Sequence, residues 1–177
     1  MLTVPSAEFV ALSGITIANA NNTTSGTGGG LNNAGTVTIT GSTFTGNTAH
    51  HGGAIDSGDG SGLGSTGTVT VTASTFTGNT ASGDNRNPGD GGAIDNADTN
   101  GAGSVTVTAS TFTGNTAYFG GAIDNGGTGA GSGSYATMAV AGDVFDGSCF
   151  QVGGTWADGG YNAGTDTSCF ASTPPGR

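Results

Sequence analysis

The chain contains no lysine, and arginine occurs only at Arg86 and Arg177. Against 12 Asp plus Glu this leaves a formal net charge of -10. A protein that follows a phosphate backbone needs a cationic track, so nucleic acid is excluded as a partner. An anionic membrane surface repels the chain for the same reason. No apolar run approaches the roughly 18 residues of a spanning helix, and no membrane span is expected. Met1 to Ala7 has no basic segment ahead of an apolar one, so it does not read as an export signal. Cysteine is limited to Cys149 and Cys169, tryptophan to Trp156, and hydrophobic residues to 33% of 177. That is thin material for a globular core. It suffices for one solenoid domain, whose interior is a narrow column of small side chains.

What the chain has in quantity is repetition. Ser-Thr-Phe-Thr-Gly-Asn-Thr-Ala stands at 42–49, 74–81 and 110–117, with a decayed copy at 144–147. Gly-Gly-Ala-Ile-Asp stands at 52–56, 91–95 and 120–124, with a shorter version at 29–32. Phe44, Phe76, Phe112 and Phe145 are separated by 32, 36 and 33 residues. Seven residues before each lies Val37, Val69, Val105 or Met138. Five before lies Ile39, Val71, Val107 or Val140. Three before lies Gly41, Ala73, Ala109 or Gly142. A disordered linker would not hold this phase, a propeller blade needs a longer period, and a sandwich does not explain the spacing.

Alternating valine and threonine reads as a strand with one face buried. The phenylalanine has the opposite parity, so the chain must bend before it. Gly-Asn follows at once and suits a second corner. Asn47, Asn79 and Asn115 are expected to share that corner, their amides bonded between coils or to the backbone. The Ala-Ile block supplies a third short strand. Three strands and three bends make one coil of an all-β, single-stranded parallel β-helix. Phe9, Val10, Leu12, Ile15 and Ile17 read as a first, incomplete coil. About five coils over residues 1–148 give a rod on the order of 20 to 25 Å. Residues 149–177 leave the repeat and read as a cap, with Trp156, Phe150, Tyr161 and Phe170 covering the last coil.

The Gly-Gly-Ala-Ile and Phe-Thr-Gly-Asn blocks resemble the repeats of polymorphic outer-membrane proteins and related bacterial adhesins. With its cysteine-containing tail, the chain is similar to secreted bacterial β-helix proteins of the pectate-lyase-like superfamily that end in a choice-of-anchor region. The resemblance implies right-handed coils and an extracellular or cell-surface location. Against it, the missing export signal reads as a fragment or a misplaced start. In an exported protein the two cysteines have one intramolecular pairing, Cys149 with Cys169.

Candidate chemistry is sparse. A pectin-cleaving site needs a basic residue beside calcium-binding carboxylates, and Arg86 stands alone. A glycoside hydrolase needs two carboxylates across one bond. Asp56, Asp95 and Asp124 recur at one position and read as turn-forming aspartates at a strand end, with Asn32 as the first rung. Calcium is the one cofactor left open, through Asp56, Asp59, Asp84, Asp90 and Asp98 in glycine-rich loops. His50 and His51 read as exposed loop histidines with no third ligand. No catalytic, cofactor or metal residue is expected otherwise.

Thr36, Thr38 and Thr40, then Thr68, Thr70 and Thr72, then Thr106 and Thr108 face outward in successive coils. This flat array resembles those of ice-binding β-helices, and it fades at Ala139 and Ala141. The leading expectation is a non-enzymatic scaffold, adhesive toward surface glycans or proteins. A carbohydrate-active enzyme or glycan-binding domain is the alternative, and ice binding a more remote one.

Overall fold

The computed structural model describes residues 1–58, 66–84, 88–96, 102–126, 136–151 and 154–170. Three six-stranded parallel sheets and one three-stranded sheet run along it. The valine sheet holds Phe9–Ser13, Thr36–Thr40, Thr68–Thr72, Ser104–Thr108, Thr137–Ala141 and Thr155–Asp158. The phenylalanine sheet holds Thr16–Ala18, Thr43–Thr45, Thr75–Thr77, Thr111–Thr113, Val144–Asp146 and Ala163–Gly164. The isoleucine sheet holds Leu2–Val4, Leu31–Asn33, Ile55–Ser57, Ile94–Asn96, Ile123–Asn125 and Cys149–Gln151. The short fourth sheet holds Asn21–Thr27, Thr48–His51 and Thr80–Ala81. Each coil gives one strand to each long sheet before the chain climbs to the next. This is a right-handed parallel β-helix, the hand that parallel crossovers take.

Register turns the sequence repeats into columns. Val10, Val37, Val69, Val105, Met138 and Trp156 share one. Ile17, Phe44, Phe76, Phe112 and Phe145 share another. The four phenylalanine rings are buried and stacked, with centroids 5.1, 4.8 and 5.0 Å apart. Such ring pairs add about 0.5–1.5 kcal/mol each beyond area burial.

The small residue three places before each phenylalanine serves the backbone. Gly41, Ala73, Ala109 and Gly142 have φ of 55°, 50°, 52° and 68°. A Cβ on Gly41 would meet nothing within 4 Å, so alanine fits where the torsion is tolerated. The Gly-Gly pair has a different cause. A Cβ on Gly53 would lie 2.1 Å from the Gly92 carbonyl oxygen, and one on Gly92 2.1 Å from that of Gly121. The coils touch there through bare backbone.

Six coils are present where the motif copies suggest about five, because the two ends lack the motif yet keep the register. At the start, Val10, Leu12 and Ile17 face inward, whereas Phe9 and Ile15 point to solvent. Phe9 lies on the outward parity of its strand, and Ile15 precedes the strand Thr16–Ala18 at the bend where the next coil places Ser42, which hydrophobicity alone did not reveal. At the far end, residues 149–164 add a strand to each long sheet. Trp156 packs over the valine column, and Phe170 lies edge-on to Phe145 at 6.5 Å, whereas Tyr161 is 98% exposed and Phe150 lies against Phe119 instead of over the last coil. The Cys149–Cys169 disulfide joins the last isoleucine-sheet strand to the 3-10 turn Thr167–Cys169.

Candidate functional site

The repeat asparagines, serines and aspartates are buried. Asn79 accepts from the backbone N–H and the side-chain Nδ2 of Asn47, both at 3.0 Å, through Oδ1. Its Nδ2 donates to the Phe44 carbonyl at 3.0 Å and to Asn115 Oδ1 at 2.9 Å. Asn47, Asn79 and Asn115 thus line one corner, all buried. A second asparagine column, not anticipated, closes another corner. Asn96 Nδ2 donates to Asn125 Oδ1 at 2.7 Å and to the Thr137 carbonyl at 2.9 Å. Asn125 Nδ2 donates to the Thr155 carbonyl at 3.0 Å. The Ile-Asp-Asn repeat at 94–96 and 123–125 was the available signal.

The third corner is a serine column. Ser42 and Ser74 backbone N–H groups donate to the Oγ atoms of Ser74 and Ser110, each at 3.1 Å. Asp143 takes the next rung, accepting from Ser110 N at 2.7 Å and Ala141 N at 2.9 Å. Burial pushes its carboxyl up from 3.8 to about 6, against the pull of those two N–H bonds.

The repeat aspartates are not exposed turn residues. Asp56, Asp95 and Asp124 sit mid-strand in register and are fully buried. Nor are the histidines loop residues. His51 is buried in the strand Thr48–His51 with Nδ1 3.4 Å from Asp90 Oδ2. His50 is half-buried with Nε2 3.5 Å from Asp84 Oδ2. Among the described residues, no three His, Cys, Asp or Glu side chains are placed to hold a metal ion. Asp59, Asp98 and Arg86 lie outside the described residues, so the loop set proposed for calcium is only partly in view.

The outer faces carry threonine. Thr36, Thr68 and Ser104 align, as do Thr38, Thr70 and Thr106, and Thr40, Thr72 and Thr108. The array suggesting ice binding stops in the next coil at Ala139 and Ala141. There a shallow groove of about 160 Å³ opens, lined by Thr106, Thr108, Ala139, Ala141, Ala157 and Asp158 among others. The phenylalanine sheet bears a second array that the sequence reading missed, with Thr43, Thr75 and Thr111 beside Thr45, Thr77 and Thr113. Its signal was the threonine on either side of each phenylalanine.

Aromatic side chains gather at one outer edge of the helix. Tyr118 lies against Phe119 at 4.6 Å between ring centroids, and Phe119 against Phe150 at 4.7 Å.

The Chlamydia polymorphic membrane protein (Chlamydia_PMP) repeat model matches residues 41–58 and 73–97. Each matched segment holds one Phe-Thr-Gly-Asn block and the Gly-Gly-Ala-Ile-Asp block after it. The similarity therefore covers the coil-forming motif, over less than half of the chain. No curated protein and no solved structure matches the chain. Among the described residues, no helix is long and apolar enough to cross a membrane.

Proposed function

We propose that the chain is a non-catalytic scaffold that works outside the cell or on its surface and binds other surfaces through its outer faces. The observation that carries this reading is where the polar groups go. Repeat asparagines, serines and aspartates are buried, while threonine hydroxyls in register cover two sheets. A reaction needs a positioned acid or base that reaches its substrate. Asp56, Asp95 and Asp124 are fully buried, on the face of their strands opposite the core isoleucines. The disulfide supports an oxidising location, since such bonds persist outside the cytosol. The PMP-repeat similarity supports display at a cell surface.

The test is direct. Beads coated with the full chain should adhere to cell or polysaccharide surfaces, and adherence should survive chelation of calcium. Soluble polysaccharides incubated with the chain should yield no new reducing ends. Release of oligosaccharide would make it an enzyme, and uncoated beads that adhere equally well would remove the binding reading.

A further inference from the structure

Three aromatic side chains that the interior does not use lie together on the outer edge of the isoleucine sheet. Tyr118 is 74% exposed. Phe119 and Phe150 are half-buried beside it. Their placement breaks the polar pattern of earlier coils. Phe119 pairs with Asp90, which itself follows the rung of Thr27 and His51. Phe150 takes the rung that Asn32, Asp56, Asp95 and Asp124 hold below it. Two polar columns thus turn aromatic at neighbouring points, away from the stacked phenylalanine column that fills the core. The main chain beneath the first two rings is held, since the N–H groups of Tyr118 and Phe119 both donate to the Gly89 carbonyl, at 3.0 and 3.2 Å. Ser148, exposed, stands at the rim and accepts from the Gly121 N–H at 3.1 Å.

We propose that Tyr118, Phe119 and Phe150 form a binding platform for a neutral pyranose glycan. This rests on the surface-binding reading and names its site. A sugar ring lays its C–H face on the exposed Tyr118 ring, which stands edge-on to Phe119 with 74° between ring planes and is backed by the tilted Phe119–Phe150 pair, and the Ser148 and Tyr118 hydroxyls bond sugar hydroxyls. Size argues for a sugar. One exposed ring with two half-buried rings behind it matches a single pyranose unit. A stable protein partner needs about 800 Å² on each side. Charge argues for a neutral one. The chain carries a net charge of -10, which repels an acidic glycan. Rings already held by the fold bind at low entropic cost.

Calorimetric titration of the full chain with chito-, cello- and manno-oligosaccharides of four to six units tests this. At least one series should bind. Tyr118→Ala should weaken it tenfold or more without lowering the melting temperature, Tyr118→Trp should retain it, and Thr72→Ala on the valine sheet should not alter it. Absence of binding to every series, or binding indifferent to Tyr118→Ala, overturns the platform. Bead adhesion separates the two readings. Adhesion that persists both in Tyr118→Ala and after periodate oxidation of the target's sugars sinks the platform and keeps surface binding. If the unaltered chain does not adhere and binds no sugar, both readings fall.

Discussion

The two ends of the helix are built from the same columns and finished differently. In the first coil Val10, Leu12 and Ile17 face the core but are only partly buried, with a neighbouring coil on one side. Phe9, on the opposite face, is 80% exposed. In the last coil Trp156 and Phe170 lie over the columns and a disulfide ties the turn down. The middle coils have neighbours above and below, and their core residues are sealed. A side chain's worth in a solenoid therefore depends on how many coils cover it as well as on its type.

Substitution in the middle should give the largest effect. Phe76→Ala removes a ring sandwiched between Phe44 and Phe112 and should cost about 3–5 kcal/mol in denaturant unfolding. Ile17→Ala, at the half-covered end, should cost well under that. Equal losses would mean that coil position does not matter. Next comes the cap. Replacing both Cys149 and Cys169 with serine should cost about 3 kcal/mol by the loop-entropy account. Amide exchange should then quicken first in residues 137–164, with Phe44 to Phe112 still protected. Uniform loss of protection would show that the cap supports the whole rod.

Asp143 offers a smaller, pH-resolved contrast within the serine corner. Its carboxyl titrates at about 6 when folded against an ordinary 3.8. Protonation therefore favours the folded state. That stability is fully present below about pH 4 and is lost as pH rises through about 6. Asp143→Ser restores the residue used by the coils below, so it should remove this dependence and raise stability at pH 7 by at most about 3 kcal/mol. A flat stability profile in the unaltered chain would refute the assignment. Smallest of all, Phe9→Thr should shift stability by no more than about 0.5 kcal/mol, because its side chain is 80% exposed. A larger loss would mean that the first coil is covered after all.

The coil was legible because its residues recur in phase. Val69, Val71 and Phe76 each predict their own neighbours one repeat away, and period-two alternation states which side is buried. The corner role of Asn79 followed from the Gly-Asn corner. Burial of Asp56 and His51 was not legible, since both residue types ordinarily sit at turns and surfaces. Their environment comes from segments far away in sequence. His51 meets Asp90 only because a coil brings position 90 above position 51. The aromatic platform was missed for a related reason. Tyr118-Phe119 and Phe150 are 31 residues apart at their closest. Only the stacking of the last two coils makes them neighbours. The tail's continuation of the helix was hidden because it keeps the register with unrelated residues, such as Trp156 on Met138.

The bare Gly-Gly contact between coils has a bearing on how such a chain can grow. In the middle coils each Gly-Gly pair meets the next through main chain and the same side-chain types stack in each column, so the joints there are nearly interchangeable. In-frame duplication of some 33 codons, the spacing between Phe112 and Phe145, inserts a coil that fits its neighbours without new complementary surfaces. It would lift everything beyond it by about 4.8 Å. Copy number then acts as a ruler, setting how far the Tyr118 edge stands from the chain's start, while the edge itself is copied unchanged.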